Sequence, residues 1–137
     1  LGLMPPCSTY HRFAVGMTGD KMSSSKPEST IFMDDEIESM ERKVKRAISG
    51  GQPTVEEHRR LGGDVSKDVA FQYLQFFFEN DDTALAEVKS EYESGRMLAG
   101  EVKQICIDRA TDWLIDLKQR RDQMEDSVAD FLAPDAI

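Results

Sequence analysis

The hydrophobic pattern of this chain changes at residue 35, and that change constrains the fold more than any other feature. Prolines at positions 5, 6 and 27 and glycines at positions 2, 16 and 19 interrupt residues 1–34, which show no helical period. From residue 35 onward, apolar side chains recur at spacings of three and four, beginning with Ile37, Met40, Val44 and Ile48. The sequence therefore predicts short strands and loops first, and amphipathic helices after them.

Two short apolar segments before residue 35 predict strands. Residues 13–15 and 31–33 are rich in β-branched or aromatic side chains. We interpret them as edges of a sheet whose remaining strands lie outside this sequence. The predicted fold class is mainly α, with short strands and loops at residues 1–34 followed by a helical domain at residues 35–137.

Caps and glycines set the predicted bounds of the first two helices. Asp34 or Asp35 is placed to cap the first helix, and the glycines at 50–51 are placed to end it. Thr54 and Glu57 have the spacing of a capping box, which predicts a short helix to about Leu61.

The most hydrophobic run, residues 69–78, predicts the central core helix, although periodicity alone leaves a buried strand as the alternative. Its three consecutive phenylalanines, residues 76–78, are expected in the core, as is Trp113. Asp81 or Asp82 is placed to open the next helix. That helix is predicted to end at residues 94–95. The longest helix is predicted to run from about residue 98 to about residue 124, and a last short helix is predicted near residues 128–132.

Composition indicates a folded protein and restricts its partners. A chain of 137 residues with 39% hydrophobic residues can form one ordinary domain. The formal net charge of −9 argues against nonspecific binding of polyanions. Contacts to phosphate would therefore need a local basic surface. The cations that could form one, each also explicable as part of a solvated helix face, are Arg42, Lys43, Lys45, Arg46, Arg59, Arg60, Lys118, Arg120 and Arg121.

The cysteines indicate the cellular compartment that we expect for the protein, and the first residue bears on whether the sequence is part of a longer one. Cys7 and Cys106 lie far apart, and neither has a metal-site spacing, which favours a reduced, cytoplasmic setting and no protein metal site. No apolar run approaches the length of a membrane span. Because the chain starts at Leu1 rather than at methionine, we expect it to be a piece of a longer protein.

A phosphate-handling loop is predicted at residues 19–27, with the sequence Gly-Asp-Lys-Met-Ser-Ser-Ser-Lys-Pro. Lys21 is followed by three hydroxyls and several backbone amides, which can gather donors around an anion. A lysine suits this task because its compact charge on a flexible stem can follow a phosphate that moves during a reaction.

The five residues Lys-Met-Ser-Ser-Ser resemble the KMSKS signature of the class I aminoacyl-tRNA synthetases. Their flanks, including Tyr10-His11, Gly16 to Gly19 and Pro27, are similar to the run around that loop in tryptophanyl-tRNA synthetases of the archaeal and eukaryotic type. Pieces resembling the C-terminal domain of the same family follow in order: Ser49-Gly50-Gly51, Thr54 to Arg59, Gly62-Gly63, Asp68 to Phe71, Ser94-Gly95 and Gly100-Glu101. The likeness covers nearly the whole chain.

The resemblance implies activation of tryptophan by ATP, followed by transfer to its tRNA. Lys21 would be the catalytic ligand of the departing pyrophosphate, and Met22, Ser23, Ser24 and Ser25 would complete the ATP-binding loop. Residues 1–34 would be a short remnant of the α/β, Rossmann-like catalytic domain, and residues 35–137 would be the helical anticodon-binding domain. The implied partners are tryptophan, ATP with Mg²⁺ as its counter-ion, and tRNA(Trp), in an enzyme expected to be a cytoplasmic homodimer.

Two departures from the family pattern qualify these expectations. Ser24 stands where the signature has its second lysine, and it is open whether Lys26 substitutes for that charge. The His-x-Gly-His element that holds ATP in this enzyme class is missing, since the only histidines are His11 and His58. We therefore expect this piece alone to be inactive.

Two other readings remain open. A tyrosyl-tRNA synthetase fragment would share the loop type and the architecture. A helical interaction module without catalysis would use residues 23–25 as a phosphorylation site or a linker. His58 is expected to be a surface or packing residue, and His11 a structural one that could approach ATP.

Overall fold

The computed structural model describes residues 7–10 and 13–124. This part of the chain is helical and contains no strand, which confirms the predicted mainly α class. The helices are α1 (Ile37–Arg46), α2 (Val55–Leu61), α3 (Val69–Tyr73), α4 (Asp82–Glu93) and α5 (Ala99–Met124). A 3-10 turn forms at Pro27–Ser29, and a π-helical turn at Leu74–Phe78 continues α3 without a break.

Helix α5 is the centre of the fold, as the length of its predicted segment suggested. It packs against α1, α3, the π turn and α4. Its buried face presents Val102, Cys106, Ile107, Ala110 and Leu114 to the core. Lys103 joins α5 to the end of α1 by donating to the carbonyls of residues 45 and 47, at 3.0 and 2.7 Å. A cation at that position satisfies carbonyls that the helix end leaves free.

Two predicted caps, at Thr54 and Asp81, are confirmed, and the structure adds a third at Asp68. The hydroxyl of Thr54 accepts from the amide of Glu57 at 3.1 Å, and Gly62 ends α2 with φ +74°. Asp81 accepts from the amides of residues 83 and 84 and so opens α4. Asp68 caps α3 by accepting from the Phe71 amide at 3.0 Å. Local sequence therefore sets the starts of these helices.

The predicted bounds of α1 are wrong at both ends. Glu36 precedes the helix without a capping side chain, because Asp35 is used instead by the Phe32 amide and the Lys43 ammonium. The helix ends at Arg46 rather than at the glycines, since the next residue turns to ψ 150°. Ile48 therefore leaves the helical face. Its backbone binds Met17 and Val69 instead.

The predicted strands at residues 13–15 and 31–33 are also wrong. A strand needs a neighbouring strand with which to form a ladder. Residues 13–15 and 31–33 form no backbone hydrogen bond with each other, and the bond near them runs from the Met17 amide to the Ser29 carbonyl at 3.0 Å, outside both segments. Val15 and Ile31 pack against the common core. Phe13 and Met33 are 65% and 67% exposed, so burial accounts for only part of the hydrophobic pattern.

The predicted aromatic core is only partly correct. Phe77 is 48% exposed and Trp113 is 37% exposed, so neither is a core residue. Consecutive residues of a helical turn point in different directions, and the run at 76–78 therefore cannot bury all three rings. Phe78 packs on Trp113 with ring centres 5.9 Å apart. The helix predicted near 128–132 lies outside the described residues.

No helix in the described part of the chain is both long enough and apolar enough to cross a membrane.

Candidate functional site

The predicted phosphate loop begins with a tight backbone turn. The amide of Gly16 donates to the Asp20 carbonyl at 2.7 Å, and the amide of Gly19 donates back to the Gly16 carbonyl at 2.8 Å. Gly19 has φ +82°, a conformation that strains any other residue. These bonds fix the backbone that directly precedes Lys21.

The side chain of Ser29 stabilises the turn at residues 23–26. Its side chain is 1% exposed. Its hydroxyl accepts from the Ser23 amide at 3.1 Å and donates to the Lys26 carbonyl at 2.7 Å. A further turn bond runs from the Lys26 amide to the Ser23 carbonyl at 3.0 Å. One buried hydroxyl thus ties both ends of the turn at residues 23–26 together.

Met22 anchors the loop to the helical core. The hydroxyl of Tyr73, at the end of α3, donates to the Met22 sulfur at 3.3 Å. Met22 also lines an apolar hollow of about 220 Å³ together with Ile31, Met33 and Phe77, among others. The residue after Lys21 is therefore held by a contact that spans 51 positions of sequence.

The polar groups of the loop remain on the outside. Lys21, Ser24, Ser25 and Lys26 are exposed, and the hydroxyls of Ser23 and Ser25 lie 2.8 Å apart. Within the described part of the chain, Lys21 forms neither a hydrogen bond nor an ion pair. An anchored methionine flanked by an accessible ammonium and accessible hydroxyls can present donors to an anion without using them internally.

Comparison with known proteins identifies the family. The sequence model described as "tRNA synthetases class I (W and Y)" matches residues 2–114. The chain belongs to this family. Its loop at residues 21–25 lies inside the matched region.

Curated relatives of this class I synthetase chain match it along almost all of its length. The tryptophan–tRNA ligase of Saccharolobus solfataricus is 44% identical over 134 residues, which cover 96% of this chain and 35% of the relative. The cytoplasmic tryptophan–tRNA ligase of Rattus norvegicus is 41% identical over 138 residues, covering 98% of this chain and 28% of the relative. The chain thus spans about a third of the length of its curated relatives.

Solved structures agree with the sequence relatives. The tryptophanyl-tRNA synthetase of Aeropyrum pernix K1 superposes with a TM-score of 0.87 at 32% identity, over 93% of this chain and 35% of that one. The tryptophanyl-tRNA synthetase of Giardia lamblia gives a TM-score of 0.76 at 39% identity, over 81% and 28% of the two chains. The helical fold is therefore that of this synthetase family.

The predicted basic surface of this synthetase chain is smaller than its sequence suggests. Lys43 is 3% exposed and bonds both carboxylate oxygens of Asp35, at 2.6 and 2.8 Å. Its ammonium also lies 4.8 Å from the centre of the Phe32 ring. Arg59 is engaged too, since its guanidinium donates to the carbonyls of Gly95 and Arg96. Lys43 is therefore not available as a phosphate ligand in this conformation, whereas Arg59 is exposed and has only one guanidinium nitrogen engaged.

His58 is a buried packing residue, as predicted. Its ring is 3% exposed and lies 5.2 Å from the ring of Tyr92. The Gln52 amide donates to Nδ1 at 3.4 Å, which leaves Nε2–H to donate to the Met97 carbonyl at 2.8 Å. With both nitrogens used structurally, His58 is not placed to act as a base. His11 lies outside the described residues.

A second buried network lies behind the site and escaped the sequence analysis. Asp68 is fully buried and accepts from the Gly50 amide and the Tyr92 hydroxyl, in addition to the Phe71 amide through which it caps α3. Burial raises the pKa of the Tyr92 hydroxyl, and it also raises the pKa of the Cys106 thiol to about 12. The sequence analysis assigned no cap to Asp68, and its partners Gly50 and Tyr92 are distant in the chain.

The loop anchors escaped prediction for a similar reason. Tyr73 was assigned to the core helix and Ser29 received no role. The spacing of either residue from the loop gives no local signal. Burial of a tyrosine or a serine does indicate that its hydroxyl has a partner, but it does not identify that partner.

Proposed function

We propose that this chain is part of a tryptophan–tRNA ligase and supplies its ATP-binding signature loop and its anticodon-binding domain. The observation that carries the proposal is the exposed ammonium of Lys21 beside the anchored Met22, in a chain 44% identical to a tryptophan–tRNA ligase. We place the boundary between the catalytic end and the helical domain at residues 34/35. The shared core around Met17 shows that the two parts pack together.

In the proposed reaction the tryptophan carboxylate attacks the α-phosphorus of ATP, and the bond to pyrophosphate breaks. Negative charge increases on the departing pyrophosphate, and the Lys21 ammonium would stabilise it there. Ser23, Ser24, Ser25 and nearby amides would orient the β- and γ-phosphates. The tryptophanyl group would then pass from the adenylate to a terminal ribose hydroxyl of the tRNA, releasing AMP.

The donor set of the loop suits phosphates better than a metal. It consists of ammonium groups, hydroxyls and amides, whereas Mg²⁺ prefers carboxylate and other oxygen ligands. We therefore propose that Mg²⁺ accompanies ATP as its counter-ion and is held mainly by the phosphates. Residues outside this chain would complete the tryptophan and ATP pockets, so the piece alone would be inactive.

The helical domain would meet the tRNA through a local basic surface. With Lys43 buried in its ion pair, the remaining candidates for phosphate contacts are Arg42, Lys45, Arg46, Arg59, Arg60, Lys118, Arg120 and Arg121. Sequence reading of an anticodon would depend on stacking and on contacts to base edges, which do not require a positive net charge. We further propose a cytoplasmic, homodimeric enzyme, as the resemblance implies.

Tryptophan-dependent exchange of pyrophosphate into ATP tests the activity in the longest natural protein that contains this chain. Exchange with tryptophan and not with tyrosine supports the proposal. Exchange with tyrosine alone would make the protein a tyrosyl enzyme, which the family description also covers. No exchange with either amino acid would refute the enzymatic assignment.

A binding titration tests the anticodon domain separately. This chain should bind a tryptophan-specific tRNA transcript more tightly than a tyrosine-specific one, at two salt concentrations. Equal weak binding to both, falling equally with salt, would show only nonspecific phosphate contacts.

A further inference from the structure

We propose that Tyr73 is a positioning residue for the ATP-binding loop, through which the helical domain controls the placement of Lys21. Tyr73 would not touch the substrate itself. It would act through Met22, the residue next to the lysine. This inference rests on the proposed function, which assigns ATP to the loop.

The contact is specific because the hydroxyl has so few alternatives. Tyr73 is 3% exposed, so its hydroxyl has little access to water. Among the described residues its hydrogen-bond partner is the Met22 sulfur, at 3.3 Å. A thioether is a weak acceptor, and a buried hydroxyl that loses even a weak partner keeps its desolvation cost. The pair therefore favours the loop position in which Met22 lies against α3.

The surroundings of Tyr73 connect this contact to the rest of the helical domain. Tyr73 is the last residue of α3 and directly precedes the π turn, an irregularity that is frequent at functional sites. The turn places Phe77 and Phe78 with ring centres 5.3 and 6.3 Å from that of Tyr73. Phe78 in turn packs on Trp113 of α5. A shift of α5 or of the π turn would thus reach Met22 through contiguous rings.

A purely structural role for Tyr73 makes a different prediction. Removing the hydroxyl would then lower the stability of the whole core and leave the loop where it is. Tyr92 provides the matched control, since it is also a buried tyrosine with a hydrogen-bonded hydroxyl, but its partner is Asp68.

Methyl NMR on this chain separates the two roles. The seven methionines are labelled at the ε-methyl carbon, and the Met22 signal is assigned with Met22→Leu. Tyr73→Phe should move the Met22 signal toward its position in the unfolded chain, and trypsin should cut after Lys21 about three to ten times faster. Tyr92→Phe should leave both readouts unchanged. An unmoved Met22 signal in Tyr73→Phe would overturn the proposal.

Kinetics of the longer natural protein test the functional consequence. Tyr73→Phe should raise the KM for ATP in the exchange assay by about three- to tenfold and leave the KM for tryptophan unchanged. Equal rises in both constants would overturn the positioning role. Absence of tryptophan-dependent exchange in the wild type would instead refute the proposed function, while the methyl experiment would still decide whether Tyr73 holds the loop.

Discussion

The hydroxyl of Tyr92 donates to the carboxylate of Asp68 at 2.8 Å, and both side chains are fully buried. The same carboxylate accepts from the amides of Gly50 and Phe71, each at 3.0 Å. One acidic group therefore joins the segment after α1, the start of α3 and the end of α4. Three donors stabilise a charge that would otherwise be costly inside a core.

Replacing Asp68 should destabilise the domain severely. Asp68→Ala leaves three buried donors without their acceptor, and we expect a loss of about 3–5 kcal/mol in the free energy of unfolding. Tyr92→Phe should cost less, about 1–3 kcal/mol, because the two amides still satisfy the carboxylate. Urea denaturation followed by circular dichroism measures both values. A loss below 1 kcal/mol for Asp68→Ala would contradict the network.

Alkaline pH should unfold this protein through Cys106. Burial, with the charge of Asp68 nearby, raises the thiol pKa from 9.0 to about 12. Between pH 9 and pH 12 the Cys106 thiol therefore loses its proton in the unfolded chain and keeps it in the folded chain. Stability is therefore complete below pH 9 and falls as pH rises, by up to about 1.4 kcal/mol per pH unit from this group. Tyr73, with a pKa raised to about 12, adds to the loss above pH 10.

The other cysteine supplies the control for that experiment. Cys106→Ala should flatten the dependence of unfolding free energy on pH between 9 and 10.5. The exposed Cys7 should not contribute, so Cys7→Ser should keep the wild-type slope. Equal slopes in all three proteins would show that the Cys106 thiol titrates normally.

The buried pair of Lys43 and Asp35 predicts strong coupling between two substitutions. Lys43→Met leaves the Asp35 carboxylate largely buried without its cation, which should cost about 2–4 kcal/mol. Adding Asp35→Asn removes the unpaired charge and should recover part of the loss. A double-mutant cycle from denaturation midpoints measures the coupling energy. If the two substitutions changed the free energy of unfolding by strictly additive amounts, the coupling energy would be zero, as for a weak surface ion pair.

Two glycines should respond to alanine in opposite directions. A Cβ at Gly63 would lie 2.4 Å from the Tyr92 ring, so Gly63→Ala should destabilise by about 1–3 kcal/mol. A Cβ at Gly100 would meet nothing within 4 Å, in the first turn of α5. Gly100→Ala should therefore stabilise by up to about 1 kcal/mol. Thermal midpoints of the two variants test the contrast, and destabilisation by Gly100→Ala would contradict it.

The two exposed lysines of the loop should differ in importance. In the exchange assay of the longer natural protein, Lys21→Ala should lower kcat by about 10²–10³, as expected for loss of a group that stabilises developing charge. Lys26→Ala should lower it less than tenfold, because Lys26 lies at the far end of the turn that Ser29 closes, away from Met22 and Lys21. Circular dichroism of both variants controls for folding. A larger effect from Lys26 would mean that it carries the charge missing at Ser24.

The sequence predicted those features that depend on neighbouring residues. Thr54 and Asp81 cap their helices as expected, since a cap needs only the next few amides. The strand predictions at residues 13–15 and 31–33 failed because a strand depends on a partner elsewhere in the fold. The α1 cap failed because Asp35 has a stronger partner, the lysine eight positions later.

The same difference between neighbouring and distant partners applies to the candidate site. The loop at residues 21–25 could be located from its own sequence and flanks. Its anchors could not, because Tyr73 lies 51 positions away and Ser29 has no sequence signature. The role of Lys43 was also hidden, since a buried cation and a solvated one look alike in a sequence.

The contact between Met22 and Tyr73 also sets an order in time. The ribosome makes residue 22 well before residue 73, and at about 5–20 residues per second the 51 positions between them take about 3–10 s. Until α3 has emerged, the loop lacks its anchor and exposes an apolar methionine. In the nascent protein the loop at residues 21–25 therefore cannot take up this anchored position until residue 73 has left the ribosome.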